Sequence, residues 1–164
     1  MGVTYSPREM IDRLIAFDTT SRDSNLNLIY FVADYLKGHG LKPLLVPNDK
    51  GTKANLYVTI GPDAPGGIVL SGHTDVVPVD GQPWTSDPFK TVVRDGKLYG
   101  RGTCDMKSFS AIALAFVPAF LRAKPKTPLH IALSYDEEIG CLGVRPLIAR
   151  IMRDLPRPRL VIIG

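Results

Sequence analysis

The run Ile68-Val69-Leu70-Ser71, set off by Gly66-Gly67, passes directly into Gly72-His73-Thr74-Asp75. A short, continuous apolar run of this kind reads as a strand buried on both faces, the habit of a central strand in an α/β sheet. Its end carries an imidazole and a carboxylate. In α/β sheets the carboxyl ends of strands are where ligands bind.

Reading outward, the same pattern recurs. Leu129 to Ser134 is a second apolar strand that runs through Tyr135 into Asp136-Glu137-Glu138. Residues 97–99 read as a short strand leading through Gly100-Arg101-Gly102-Thr103-Cys104 to Asp105. Residues 106–122 read as a helix that Pro118 kinks or ends. Upstream, Ser6-Pro7-Arg8-Glu9 is a capping box with proline at the first helical position, opening a helix to about Asp18. A second helix is expected over residues 25–38, stopped by Gly38 and Gly40. Residues 42–46, with Pro43, suit an edge strand, and residues 55–60 a further strand. Residues 77–89 hold Pro78, Pro83 and Pro88 and read as loop. A short helix over 144–152 and a strand over 160–163 follow. The fold class is therefore α/β: a mostly parallel or mixed sheet with helices on both faces.

Composition narrows the function. Of 164 residues, 45% are hydrophobic and 22% charged, an ordinary globular balance. Fifteen glycines and fourteen prolines predict many tight turns. No run of about 18 apolar residues exists, so no membrane partner is expected. The polar start, with Pro7, is not read as a secretory signal, which leaves a cytoplasmic location as the expectation. Cys104 and Cys141 form neither a disulfide framework nor a CxxC pair. The net charge of +4 arises between Arg145 and Arg159, where five arginines meet one acid, Asp154. No aromatic residue lies among them for bases to stack on, so the segment reads as a solvated helix face rather than a nucleic-acid site.

His73, Asp105 and the Glu137-Glu138 pair stand about one βα unit apart, each at a strand end. One imidazole with several carboxylates suits zinc, manganese or cobalt. Asp75, two residues beyond His73, is placed to accept the ring N–H and fix its tautomer. Adjacent glutamates can divide two tasks, one holding metal and one moving a proton. Each piece alone has a plainer reading: a satisfied polar histidine, a helix N-cap at Asp105, a solvated acidic run. Cys104, beside Asp105, is either a small residue or a thiolate ligand. His39 reads as exposed and idle, and His130 as packed or hydrogen-bonded in its strand. Gly100-x-Gly102 lacks the third glycine of a dinucleotide fingerprint, since Asp105 occupies that place.

Taken together, Ser71-Gly72-His73-Thr74-Asp75-Val76-Val77-Pro78, Trp84-Thr85-Ser86-Asp87-Pro88-Phe89, Gly100 to Lys107 and Asp136-Glu137-Glu138 resemble the two-metal amidohydrolases. That family includes aminoacylases, desuccinylases, deacetylases and metallocarboxypeptidases of zinc-exopeptidase-like fold. Val79-Asp80-Gly81-Gln82 and Thr103-Cys104 look most like its N-acetylornithine-deacetylating branch. The resemblance implies two divalent ions, zinc or cobalt, with His73 on one, Asp105 bridging and Glu138 on the other. It implies Glu137 as general acid/base and Asp75 as the carboxylate behind His73. A cis peptide is implied at Asp105–Met106. The implied partner is a small N-acyl amino acid, in a family often homodimeric. Ser108 stands where the family usually has glycine. The family pattern continues Gly164 with Glu-Pro, supplies a distant histidine ligand and inserts a lid and dimerisation domain. Residues 1–164 are therefore expected to be the N-terminal portion of the catalytic domain, with weak or no metal binding and no deacetylase activity on their own.

Overall fold

A computed structural model describes residues 2–164. The capping box forms: Ser6 N donates to the Glu9 carboxylate at 2.8 Å, and Glu9 N donates to Ser6 Oγ at 3.3 Å. It opens α1 (Pro7–Ile15), which stops short of the expected Asp18. The cause is tertiary. Val76 N donates to Thr19 O and Ser21 N to Val76 O, both at 3.1 Å, so residues 19–21 run extended beside residues 74–76. Helix α2 (Leu26–Gly38) follows as expected.

The main sheet contains β1 (Leu44–Pro47), β2 (Ala54–Ile60), β3 (Ile68–His73), β6 (Leu129–Ser134) and β7 (Leu160–Ile163), in the order β1-β2-β6-β3-β7. Pairs β1–β2 and β2–β6 are antiparallel, whereas β6–β3 and β3–β7 are parallel. The mixed sheet carries helices on both faces. On one face α1 (Met10, Leu14), α2 (Ile29, Leu36) and the following helix pack on Leu56, Val58, Ile131 and Leu133. On the other, α5 (Val144–Asp154) packs Leu147 and Ile151 against Tyr57, Val69 and Ala132.

Between β3 and β6 lies a hairpin, β4 (Val92–Arg94) with β5 (Lys97–Tyr99). Strand β4 is additional to the sequence reading. Its signal is Asp95-Gly96, both at positive φ (49° and 70°), the pair that a tight two-residue hairpin requires. The expected helix over 106–122 divides into α3 (Lys107–Ala115) and α4 (Val117–Ala123). Pro118 explains the break at Phe116: it has no N–H for the Leu114 carbonyl, and its ring crowds it. No helix among the described residues is long and apolar enough to cross a membrane.

Candidate metal centre

Strands β3 and β6 are parallel neighbours with His73 opposite Ser134, so the residues that follow each strand emerge side by side. The loop bearing Asp105 reaches the same place. Gly72 permits its close approach: a Cβ there would lie 2.4 Å from Ser110 Oγ and 3.1 Å from Met106 Cε. His73 N donates to Met106 Sδ at 3.4 Å. The Asp105–Met106 peptide is cis, as the resemblance implied.

These constraints gather His73, Asp105 and Glu138, whose potential ligand atoms all lie within 4.8 Å of one another. His73 Nε2 is 3.0 Å from Asp105 Oδ1 and 3.6 Å from Glu137 Oε2. Asp105 is not an N-cap, since α3 starts after Met106 and has no side-chain cap. Cys104 is exposed and outside the cluster. The 145–159 arginines lie on and after α5, where Arg150 and Arg153 pair with Asp154, a solvated face as read.

Asp75 organises the centre from behind. Its carboxylate accepts from Ser21 Oγ (2.7 Å), Glu137 N (3.1 Å) and Glu138 N (3.2 Å). The sequence expectation for His73 needs one correction. Strand β3 ends at His73, so the nearest acceptor for Nδ1 is the Asp75 backbone carbonyl at 2.9 Å, with the carboxylate beside it at 3.5 Å. Asp136 takes a positive φ of 54°, a conformation aspartate tolerates, which turns the next two N–H groups onto Asp75. Lys53 holds Asp136 by an ion pair and donates to Ser21 O.

The electrostatics follow. Burial opposes the charged imidazole, but the hydrogen bond and charge of Asp75, with the Asp105 contact, outweigh it and raise His73 to about 9. Burial likewise opposes ionised Asp75, yet His73, Ser21 and the two backbone donors hold its carboxyl below the usual range. Glu138 is raised, first by burial and then by Asp105. Lys107 is buried, donates to Phe17 O at 2.7 Å and is lowered by desolvation to about 7.

Three carboxylates thus converge on one imidazole, and among the described residues no lysine or arginine pairs with Asp105, Glu137 or Glu138. Like charges packed this way favour a bound cation, and one nitrogen with carboxylate oxygens is a donor set for a borderline divalent metal. The residues present fit such an ion. Gly164 N donates to Ser71 O at 3.4 Å, so the end of β7 also lies beside the strand that carries His73.

Sequence reasoning missed Ser21, Lys53 and Asn25. Asn25 Nδ2 donates to Ala54 O (2.9 Å) and Thr74 Oγ1 (2.8 Å), tying α2 to the site loop. The polar run Asp18-Thr19-Thr20-Ser21 after α1 was a local signal for Ser21 alone. His39, expected idle, is half-buried: its Nε2 lies 3.0 Å from Val3 O and its ring stands edge-on to Tyr35. His130 is buried, bonded to Thr59 and stacked on Tyr57, as read.

Parallel strands that deliver His73 and Glu138 to one imidazole–carboxylate cluster, with Asp105 brought in on a loop, give the architecture of a candidate divalent-metal site. The sequence profile of peptidase family M20/M25/M40 matches residues 69–164, more than half the chain, and the chain belongs to that family. It is 38% identical to the acetylornithine deacetylase of Pasteurella multocida (strain Pm70) over 163 residues, covering 95% of this chain and 42% of that protein. It is 44% identical to the acetylornithine deacetylase of Shigella sonnei (strain Ss046) over 124 residues, covering 74% of this chain and 32% of that protein. The chain therefore spans well under half the length of these curated relatives. Among solved structures, an M20 family metallo-carboxypeptidase, Sso-CP2 from Sulfolobus solfataricus, superposes with a TM-score of 0.82 at 20% identity, covering 98% of this chain and 37% of that one. Human carnosine dipeptidase 1 gives 0.79 at 23% identity, covering 96% and 38%. These two likenesses establish the fold.

Proposed function

We propose that the cluster is the metal centre of an amide hydrolase that removes the acetyl group from N-acetylornithine, releasing ornithine and acetate in arginine biosynthesis in the cytoplasm. The observation that carries this reading is the convergence of His73, Asp105 and Glu138 within 4.8 Å, in a chain similar to acetylornithine deacetylases along nearly all its length. In this reading His73, Asp105 and Glu138 would hold divalent ions, zinc or cobalt, with His73 and Glu138 serving different ions and Asp105 shared between them. Such ions supply Lewis-acid chemistry, polarising the amide carbonyl and acidifying water.

The remaining work falls to the chain's own residues. Glu137, 43% exposed and reaching toward His73, takes a proton from the attacking water. The same carboxyl then gives that proton to the amide nitrogen as the C–N bond breaks. Acetate leaves with the new oxygen, and ornithine leaves as the amine. Asp75 keeps His73 in one orientation and, through its bonds to Glu137 N and Glu138 N, fixes where the base stands relative to the ligands.

Residues 1–164 form, in this proposal, the N-terminal portion of the catalytic domain. Three side chains are too few to hold two ions firmly. The expected result is weak divalent binding by calorimetry, abolished by His73→Ala, and no release of ornithine from N-acetylornithine. Zinc binding that survives both His73→Ala and Glu138→Ala would overturn the assignment of the ligands. Turnover by the 164-residue chain at a rate near that of a full-length relative would overturn the assignment of its extent.

A further inference from the structure

Lys53 stands directly before β2 and belongs to none of the motifs that carry the metal cluster, yet its side chain ends behind that cluster. The ammonium is shared between two segments. Nζ donates to an Asp136 carboxylate oxygen and to the Ser21 backbone carbonyl. Lys53 is 12% exposed and Asp136 14%, so the pair is largely withdrawn from water. Desolvation offsets much of the attraction in such a pair, so its contribution is to geometry more than to net stability.

The two oxygens that Lys53 holds are linked again on their far side. Ser21 Oγ donates to Asp75 Oδ2, while Glu137 N and Glu138 N donate to Asp75 Oδ1 and Oδ2. Those two N–H groups directly follow Asp136 in the chain. The path from Lys53 through Asp136, the two glutamate amides, Asp75 and Ser21 back to Lys53 therefore closes on itself. Its strained link is Asp136, whose φ of 54° lies in the left-handed region. That turn aims both N–H groups at Asp75, and the Asp136 side chain is the handle by which Lys53 holds it. Asp136 itself stands outside the group of potential ligands His73, Asp105 and Glu138.

We propose that Lys53 is a positioning residue for the metal centre: through Asp136 it sets where Glu137 and Glu138 stand relative to Asp75 and His73, while touching neither metal nor substrate. Its role toward a metal rests on the function proposed above, whereas its hold on the turn does not. Charge and geometry predict opposite signs for its removal. Lys53→Met deletes a positive charge close to the acidic cluster, which by charge alone strengthens the attraction for a cation. Loss of the brace instead lets the turn relax and misplaces Glu138, which weakens cation binding.

The test compares the 164-residue chain with Lys53→Met and with the double variant Lys53→Met/Asp136→Asn. The double variant keeps the net charge, strands no carboxylate and retains a residue type that tolerates positive φ, so it carries the test if the single variant fails to fold. Amide hydrogen exchange is read by NMR on the metal-free chains, and cobalt(II) binding by its visible spectrum. The expected result is that the Glu137 and Glu138 amides exchange about tenfold faster or more in both variants, while amides of the β2–β6 ladder accelerate less. Cobalt should bind about tenfold more weakly or worse in both, with altered visible bands. Unchanged exchange at Glu137 and Glu138 would overturn the proposal. So would equal acceleration of the β2–β6 ladder, which marks a loss of stability alone, or cobalt binding that tightens in Lys53→Met or is unmoved in the double variant. His73→Ala reads the metal assignment separately. If cobalt does not bind the unsubstituted chain, or its binding survives His73→Ala, the metal reading fails and the exchange rates alone decide the role of Lys53.

Discussion

Strands β3 and β7 lie side by side in register, Val69 opposite Val161 and Ser71 opposite Ile163, and both are short apolar runs. They differ in almost everything else. Val69 is 3% exposed and its strand ends in a buried polar knot; Val161 is 50% exposed and no residue of β7 is buried. The contrast teaches that an apolar run specifies a strand, while burial depends on what covers its second edge. β3 has a neighbour on each side and a helix on each face. Among the described residues, β7 has a neighbour on one side only.

The largest effect should come from the polar knot at the end of β3. Asp75 is buried and accepts three hydrogen bonds beside a charged imidazole. Removing one member of such a set strands the others without water. Asp75→Ala should cost about 3–5 kcal/mol in urea unfolding, the range for breaking a buried ion pair. A loss below about 1 kcal/mol, the worth of one ordinary hydrogen bond, would show that the knot adds nothing over the apolar packing that β3 shares with β7.

Next comes the pH dependence of the metal-free chain. His73 has a folded value of about 9 against an ordinary 6.5, raised because its carboxylate partners outweigh its burial. A raised folded value stabilises the folded state fully below the unfolded pKa, and the contribution is lost as pH climbs through the folded one. Measured against His73→Asn, stability should therefore fall between about pH 6.5 and 9, by an amount on the order of 1–3 kcal/mol, while Lys107, lowered to about 7 by burial, pushes both curves the other way above about pH 7. Asp75, held ionised below its usual range, is fully charged across that window and adds no slope of its own. A stability curve unchanged by His73→Asn from pH 6.5 to 9 would contradict the assignment. The β7 edge carries no titratable group between Leu160 and Ile163, so substitutions there should leave the slope untouched.

Much of this was legible in the sequence because the signals are local. The strands at 129–134 and 160–163 fall where the apolar runs do, and His73 and Glu138 meet because they follow the parallel neighbours β3 and β6, whereas Asp105 arrives on a loop beyond the separate β4–β5 hairpin rather than at a strand end of the main sheet. What was not legible depends on contacts across the chain. Helix α1 stops early because residues 19–21 bond to residues 74–76. Ser21 and Lys53 reach the site from outside every motif. His73 finds a backbone carbonyl ahead of the expected carboxylate because β3 ends at His73, two residues short of Asp75, so the alternation does not carry through. Strand β4 was a different kind of miss, since its Asp95-Gly96 turn signal was present in the sequence.

The smallest effect is also the sharpest test of the comparison. Val69→Ala and Val161→Ala remove the same two methyl groups from register partners on one face of the sheet. At Val69 those methyls pack with Tyr57, Ala132 and Leu147, and their loss leaves a cavity, so the cost should be about 2 kcal/mol. At Val161 they meet solvent on at least half their surface, and the cost should stay within about 0.5 kcal/mol, as for surface positions generally. Urea midpoints measured at two protein concentrations decide it. If Val161→Ala costs as much as Val69→Ala, and the cost grows with concentration, then another copy covers the β7 edge in solution. If the two differ as expected at both concentrations, burial alone separates these strands, and the chemistry at the end of β3 owes its fixed geometry to having sheet on both sides.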